Sequence, residues 1–166
     1  MKGTRKGKAQ ELRSRITVDG PVTGCAAACE GILRSLPQWF GIEEAVVKYV
    51  QDTRVLPTFL ARCNDDVVGF LTIKQHNSQA AEIHVMGVIP KWRRKGVGRR
   101  LLHEAEEQLR KQGVEYLQVK TLGSSYQDAG YEETRAFYTA MGFRPLEELA
   151  SFWPSGQPCL LMVKKL

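Results

Sequence analysis

The sequence lacks any long apolar run: none of its 166 residues lies in a stretch approaching the roughly 20 apolar residues that a membrane-spanning helix requires. Its N-terminal segment is basic but has no apolar centre of the kind that secretory signals carry. With 43% hydrophobic and 25% charged residues, the chain has enough apolar side chains for one core. We therefore predict a single folded domain in the cytoplasm, without a membrane partner.

Cysteine is scarce, with four residues in the whole chain: Cys25, Cys29, Cys63 and Cys159. We interpret them as reduced, buried or half-buried thiols. Cys25 and Cys29 could share one face of a helix, but no second pair of His or Cys residues accompanies them at metal-ligand spacing. We therefore expect no metal, and a cysteine nucleophile has little support.

Positive charge is concentrated at the start of the chain. Residues 1–15 carry six positive and one negative side chains, so almost all of the net charge of +6 lies there. Such a segment is usually a solvated arm, and we predict a basic flexible tail over residues 1–14 and a folded domain over 15–166. Nucleic-acid binding through this tail would be independent of sequence, and we regard it as the weaker alternative.

The apolar periodicity predicts a mixture of strands and helices. Strands are expected over residues 15–18, 58–63, 67–73, 82–88, 116–121, 147–153 and 159–165. Helices are expected over about 21–36, 42–52, 96–112 and 132–141. Asp19–Pro21 has the composition of a turn that closes the first strand, and Gly113 is suited to follow the third helix. This order predicts an α/β fold with a sheet of mixed direction.

Apolar residues at helical spacing identify candidate core contacts on three of these helices. They are Ala26, Ala27, Ile32 and Leu33 in the first, Ile42, Val46, Val47 and Val50 in the second, and Val97, Leu101, Leu102, Ala105 and Leu109 in the third. Gly87, inside an otherwise apolar strand, indicates a bulge or a close approach of backbone.

A glycine-containing turn joins the strand over 82–88 to the third helix. Gly96 and Gly98 have no Cβ atoms, so a ligand can approach the backbone closely there. The first amides of a helix have no partner within it, and the helix dipole adds positive charge at the same place. Cationic side chains surround the turn: Arg93, Arg94, Lys95, Arg99 and Arg100. The pattern favours a pyrophosphate site over a merely solvated basic turn.

Two common phosphate-binding motifs do not fit this turn. The dinucleotide fingerprint requires a third glycine where this chain has Leu101, and no Gly-Lys-Ser/Thr sequence of a nucleotide-hydrolase loop is present.

Residues 88–102 instead resemble the main acetyl-CoA-binding motif of the GNAT superfamily, Arg/Gln-x-x-Gly-x-Gly/Ala, with Arg93, Gly96 and Gly98 at its defining positions. Residues 136–145 are similar to a second segment of that family, Phe/Leu-Tyr-x-x-x-Gly-Phe, which contains Tyr138 here. One position departs from the family pattern: Tyr131 stands where the family often has an asparagine.

The resemblance implies a GNAT-like mixed, mostly antiparallel sheet with splayed central strands and flanking helices. It also implies that acetyl-CoA is the acyl donor. The residues expected to bind the cofactor are Met86, Val88, Arg93, Arg94, Lys95, Gly96, Val97, Gly98, Arg99 and Tyr138.

The chemistry implied by the resemblance is direct attack of a primary amine on the thioester in a ternary complex. A lysine-like amine has a pKa of about 10.4, so a group must take its proton before it can attack. The resemblance suggests Glu82 as that base, with His84 on the same strand face as the alternative. It assigns Tyr138 the role of general acid toward the departing thiolate.

The acceptor amine is not identified by the sequence. Aromatic residues within reach of the usual acceptor region are Trp39, Phe40, Tyr49, Tyr126, Phe152 and Trp153. A non-catalytic sensor of acyl-CoA with the same fold is the alternative function, and a homodimer formed through the final strands is a further expectation.

Overall fold

Seven strands and four α-helices form the part of the chain that the computed structural model describes, residues 16–153 and 156–166. The predicted basic tail lies outside these residues. The strands are β1 (Ile16–Val22), β2 (Thr58–Cys63), β3 (Asp66–Gln75), β4 (Ala80–Val88), β5 (Tyr116–Leu122), β6 (Arg144–Leu149) and β7 (Cys159–Lys165). The helices are α1 (Ala26–Arg34), α2 (Glu43–Asp52), α3 (Val97–Lys111) and α4 (Ala129–Ala140), and a short 3-10 turn covers Pro90–Trp92.

The strands form one mixed sheet in the order β1-β2-β3-β4-β5-β7-β6. The pairs β1–β2, β2–β3, β5–β7 and β6–β7 are antiparallel. Strands β4 and β5 are parallel, with Ala80–Ile83 opposite Tyr116–Val119. The predicted mixed, mostly antiparallel sheet is therefore confirmed.

The chain divides into two compact units. The first contains the described residues up to Thr72 together with Val85–Ala105, and the second contains Ile73–His84 and Glu106–Leu166. The core of the first unit is built from α1 and α2 with residues of β2, β3 and β4. Its buried members are Cys25, Cys29, Ile32, Leu33, Leu36, Val46, Val50, Leu60, Phe70 and Val85.

The start of the fold differs from its prediction. Asp19–Pro21 was expected to end the first strand, but β1 continues to Val22, which pairs with Thr58 after a register shift. Helix α1 consequently begins at Ala26 and not at residue 21. Pairing with β2 outweighs the local turn preference of Gly20 and Pro21, because it satisfies backbone groups that a turn would leave to water.

Helices α1 and α2 bury only part of their predicted apolar residues. Ile32 and Leu33 of α1 are buried, whereas Ala27 is exposed. In α2, Val46 and Val50 are buried, but Val47 is 41% exposed. Neighbouring residues on a helix point about 100° apart, so an apolar residue beside the buried stripe, such as Ala27 or Val47, can face solvent.

Helix α3 agrees closely with its prediction. All five residues of the predicted stripe are at most 3% exposed. Gly113 follows the helix with φ of +79°, the left-handed conformation that glycine adopts most easily.

Two boundaries in the C-terminal half also differ. Helix α4 starts at Ala129 and not at residue 132, because the Asp128 carboxylate accepts a hydrogen bond of 2.9 Å from the Tyr131 amide and caps it. Strand β6 was expected over 147–153 but starts at Arg144, directly after Phe143, where it pairs with Val163 of β7. Pairing with β7 sets this boundary, and the alternation of residues within one segment does not reveal it.

The four cysteines are buried and free, as predicted. Burial raises the pKa of Cys29 to about 12 and that of Cys159 to about 11, so both thiols are protonated near neutral pH. No helix within the described residues is long and apolar enough to cross a membrane.

Replacing Leu101 by Ala tests the packing of α3. Leu101 is fully buried, so we expect Leu101→Ala to lower the free energy of unfolding by about 2–5 kcal/mol. Leu146 is 64% exposed and provides the matched control, for which a change within about 0.5 kcal/mol is expected. Urea denaturation measures both, and equal losses in the two variants would contradict this packing.

Candidate active site

The turn between β4 and α3 presents amide groups at the start of a helix. Arg94 and Gly96 have positive φ angles of 58° and 87°, and α3 begins at Val97. The Arg100 amide donates to the Gly96 carbonyl at 3.1 Å, which is the first helical bond. The amides before Arg100 have no acceptor within the helix, so this turn offers hydrogen-bond donors to an anion.

The cationic side chains of the turn divide into three groups. The Arg93 guanidinium lies 4.3 Å from the ring centre of Trp39, and the Lys95 ammonium lies 5.0 Å from that of Trp92. Arg100 has a structural role instead, because it donates to the Ile16 carbonyl of β1 at 2.6 Å. Arg94 and Arg99 are exposed and can approach a phosphate.

Strand β4 has one fully buried face and one partly exposed face. The residues Ala81, Ile83, Val85 and Gly87 are buried, whereas His84, Met86 and Val88 on the other face are half-buried. A bulge or a close approach of backbone is predicted at Gly87, but the atoms nearest to an added Cβ there belong to side chains: Ile32 Cγ2 at 2.9 Å and Phe70 Cε1 at 3.2 Å. A larger residue there would disturb this packing.

Glu82, at the start of the partly exposed face of β4, is the centre of a polar network. Its Oε2 accepts hydrogen bonds from Lys120 Nζ at 2.6 Å and from Gln118 Nε2 at 3.3 Å. The same oxygen lies 2.7 Å from His76 Nε2. The Glu82 side chain is only 8% exposed, whereas those of Lys120 and His76 are 21% and 32% exposed. Glu82 is therefore a buried carboxylate whose partners reach solvent.

Burial works to raise the pKa of Glu82, but hydrogen bonding and charge from Lys120 oppose it, with further hydrogen bonds from His76 and Gln118. The partners outweigh burial, and the pKa of Glu82 lies below its usual value. The carboxylate is thus held in its charged form, which makes it a weak proton acceptor.

The partners of Glu82 were missed by the sequence analysis, which placed His84 beside it. His76 follows the end of β3, and both Gln118 and Lys120 belong to β5, far from Glu82 in sequence. The parallel register sets Glu82 opposite Gln118, and alternation places Lys120 on the same face. Only strand pairing brings these groups together, so no local signal in the sequence identified them.

Tyr138, the predicted general acid, lies in α4 with its side chain buried to 6% exposure. Its ring makes edge-to-face contacts with Phe137 and Phe143, at centroid distances of 5.3 and 5.4 Å. These two contacts restrict the orientation of the ring.

The predicted acceptor aromatics have several environments. Phe40 and Tyr49 contact each other edge to face at 6.0 Å beside the core of the first unit. The ring centres of Phe152 and Trp153 are 6.0 Å apart, and the Lys120 ammonium is 5.6 Å from the Phe152 ring centre. Tyr126 is 45% exposed. Among the predicted acceptor aromatics, Phe152 therefore lies next to the Glu82 network.

No group of His, Cys, Asp and Glu within residues 16–153 and 156–166 could hold a metal ion.

Comparison with known proteins gives a family match. The model of the GNAT acetyltransferase domain matches residues 56–145, which include the glycine turn, Glu82 and Tyr138. An uncharacterised N-acetyltransferase of Chlorobaculum tepidum is 31% identical over 96 residues. That match covers 57% of this chain and 59% of the relative, so less than two thirds of the relative is represented.

Solved structures have the same fold. A GNAT-family protein of Desulfovibrio desulfuricans has a TM-score of 0.73 at 20% identity, with 90% of this chain and 98% of that one covered. A GNAT-family acetyltransferase of Elizabethkingia anophelis, determined with acetyl-CoA bound, has a TM-score of 0.68 at 19% identity, covering 92% and 99%.

The low pKa of Glu82 predicts a pH-dependent contribution to stability. The pKa of the Glu82 carboxyl is lower in the folded state than in the unfolded chain, where it is about 4.3. The carboxylate therefore stabilises the fold fully above the unfolded pKa, and this stabilisation is lost as the pH falls through the folded-state pKa. We expect Glu82→Gln to reduce the free energy of unfolding by about 1–3 kcal/mol at pH 7. Chemical denaturation between pH 7 and 3 should show this difference shrinking, and a constant difference would contradict the ion pair.

Proposed function

The chain belongs to the GNAT acetyltransferase family, and on that premise we propose that it transfers an acetyl group from acetyl-CoA to a primary amine by direct attack in a ternary complex. The observation that carries the proposal is the turn at the start of α3, whose amides and cations suit a pyrophosphate. We retain the cytoplasm as its location and a homodimer as its assembly, both as predictions.

We assign acetyl-CoA binding to the turn and to the adjacent end of β4. The amides between Arg94 and Arg99 bind the pyrophosphate, and Arg93, Arg94, Lys95 and Arg99 supply positive charge. The pantetheine arm lies along β4, where Met86 and Val88 are half-buried. An amide of this strand also stabilises the charge that develops on the carbonyl oxygen.

Glu82 is the proposed proton acceptor. It is held as a carboxylate, and the hydrogen bonds it makes within the described residues all end on Oε2. Its Oε1 can therefore receive a proton from the amine, directly or through a water. We give His84, on the same face of β4, the lesser role of orienting such a water.

Tyr138 is the proposed proton donor. The amine nitrogen bonds to the thioester carbon, the carbon–sulfur bond breaks, and the departing thiolate takes the phenolic proton. The contacts with Phe137 and Phe143 support this role because they fix the ring before reaction.

Two glycines at opposite ends of α3 allow a matched test of cofactor binding. Gly96 and Gly113 both have positive φ, and an added Cβ at either would meet no atom within 4 Å. Gly96→Asp places a carboxylate beside the proposed pyrophosphate, so we expect the affinity for CoA to fall at least tenfold. Gly113→Asp adds the same charge away from it and should leave the affinity within about twofold. Calorimetry with CoA measures both, and equal affinities would argue against this site.

Tyr138→Phe separates binding from catalysis. The ring packing is preserved, so we expect CoA affinity to be unchanged and kcat to fall by roughly 10²–10⁴, the usual contribution of a general acid. Thiol release from acetyl-CoA with a panel of amines measures the rate. Unchanged kcat would remove Tyr138 from the mechanism, and CoA binding without turnover in the wild type would favour the sensor function instead.

A further inference from the structure

We propose that the acceptor is the α-amino group of a peptide or amino-acid derivative, and not the ε-amine of lysine or a polyamine. The inference rests on the proposed function, with Glu82 as proton acceptor. It follows from the arrangement of charges around that carboxylate.

The Glu82 network has no surplus negative charge. The Lys120 ammonium lies 2.6 Å from Glu82 Oε2, and the two opposite charges cancel. His76 lies beside the same oxygen and could add only positive charge. Lys120 also lies 5.6 Å from the Phe152 ring centre, and its side chain is more exposed than that of Glu82, at 21% against 8%. A strongly cationic acceptor would meet a like charge there, and the network offers it no compensating attraction.

The same ion pair limits how strong a base Glu82 can be. Because Lys120 stabilises the carboxylate, the pKa of Glu82 lies below its usual value, and removing a proton from a cationic amine is correspondingly costly. An acceptor that is already neutral avoids this cost. At pH 7.5 about a third of α-amino groups are neutral, against roughly 0.1% of lysine side chains, given pKa values of about 7.8 and 10.4.

With a neutral acceptor, the reaction needs no strong base. The amine lone pair bonds to the thioester carbon, and the nitrogen loses one proton to Glu82 only as that bond forms. The carbon–sulfur bond breaks, and the thiolate takes a proton from Tyr138. Glu82 then returns its proton to Tyr138 through solvent, so the products are an amide and free CoA.

The chain contains a second ion pair that serves as a control. Lys164 Nζ lies 2.5 Å from Glu106 Oε1, with side chains 20% and 6% exposed, almost the same as the 21% and 8% of Lys120 and Glu82. Lys164→Met therefore removes an equally buried ammonium from an ion pair that has no proposed role in catalysis. Lys120→Arg keeps the positive charge beside Glu82.

The experiment compares two peptides of otherwise identical sequence, one with a free α-amine and no lysine, the other with a blocked N-terminus and one lysine. Their kcat/KM values are measured at pH 7.5 by thiol release from acetyl-CoA. For the wild type we expect at least a tenfold preference for the α-amine peptide. Lys120→Met should reduce this ratio several-fold, whereas Lys120→Arg and Lys164→Met should leave it within about twofold.

The wild-type ratio decides the inference even if a variant folds poorly. Equal or faster acetylation of the lysine peptide would overturn the inference and leave the proposed function intact. Acetylation of neither peptide would also overturn the inference. Calorimetry of CoA binding and the thiol-release assay with the amine panel would then show whether the proposed function fails too.

Discussion

The packing of one face of β4 is the constraint that decides which of its side chains are available for chemistry. Ala81, Ile83, Val85 and Gly87 are buried, and Gly87 is so closely surrounded by Ile32 and Phe70 that it cannot carry a larger side chain without displacement. Because successive residues of a strand alternate, this packing places Glu82, His84, Met86 and Val88 on the other face. A shift of one residue would turn Glu82 and His84 toward the core and expose Ile83 and Val85.

Glu82 illustrates how a buried charge is retained and what its retention implies. Burial alone would favour the neutral acid, yet Lys120, His76 and Gln118 all contact the same carboxylate oxygen and reverse that preference. The pair with Lys120 keeps the carboxylate charged and well oriented, but it also weakens it as a base. The proposed preference for an acceptor with a substantial neutral fraction near physiological pH follows from this single ion pair.

The sequence predicted the local parts of the molecule well. The boundaries of β2 and β7 and the buried stripe of α3 agree with expectation, because each follows from alternation or helical periodicity within one segment. The errors at β1 and β6 have a common origin. In both, pairing with a neighbouring strand extended or moved the element against its own composition, at Val22 and at Arg144.

The amino-acid sequence by itself determined the family and the glycine turn at the start of α3, because these depend on short segments with a fixed spacing. Through the family resemblance it also suggested the candidate roles of Glu82 and Tyr138. Only the tertiary structure decided the surroundings of Glu82. His76, Gln118 and Lys120 are distant in sequence and become neighbours through the pairing and register of β4 and β5. The charge state of a buried carboxylate depends on such neighbours, and a single sequence does not encode them locally.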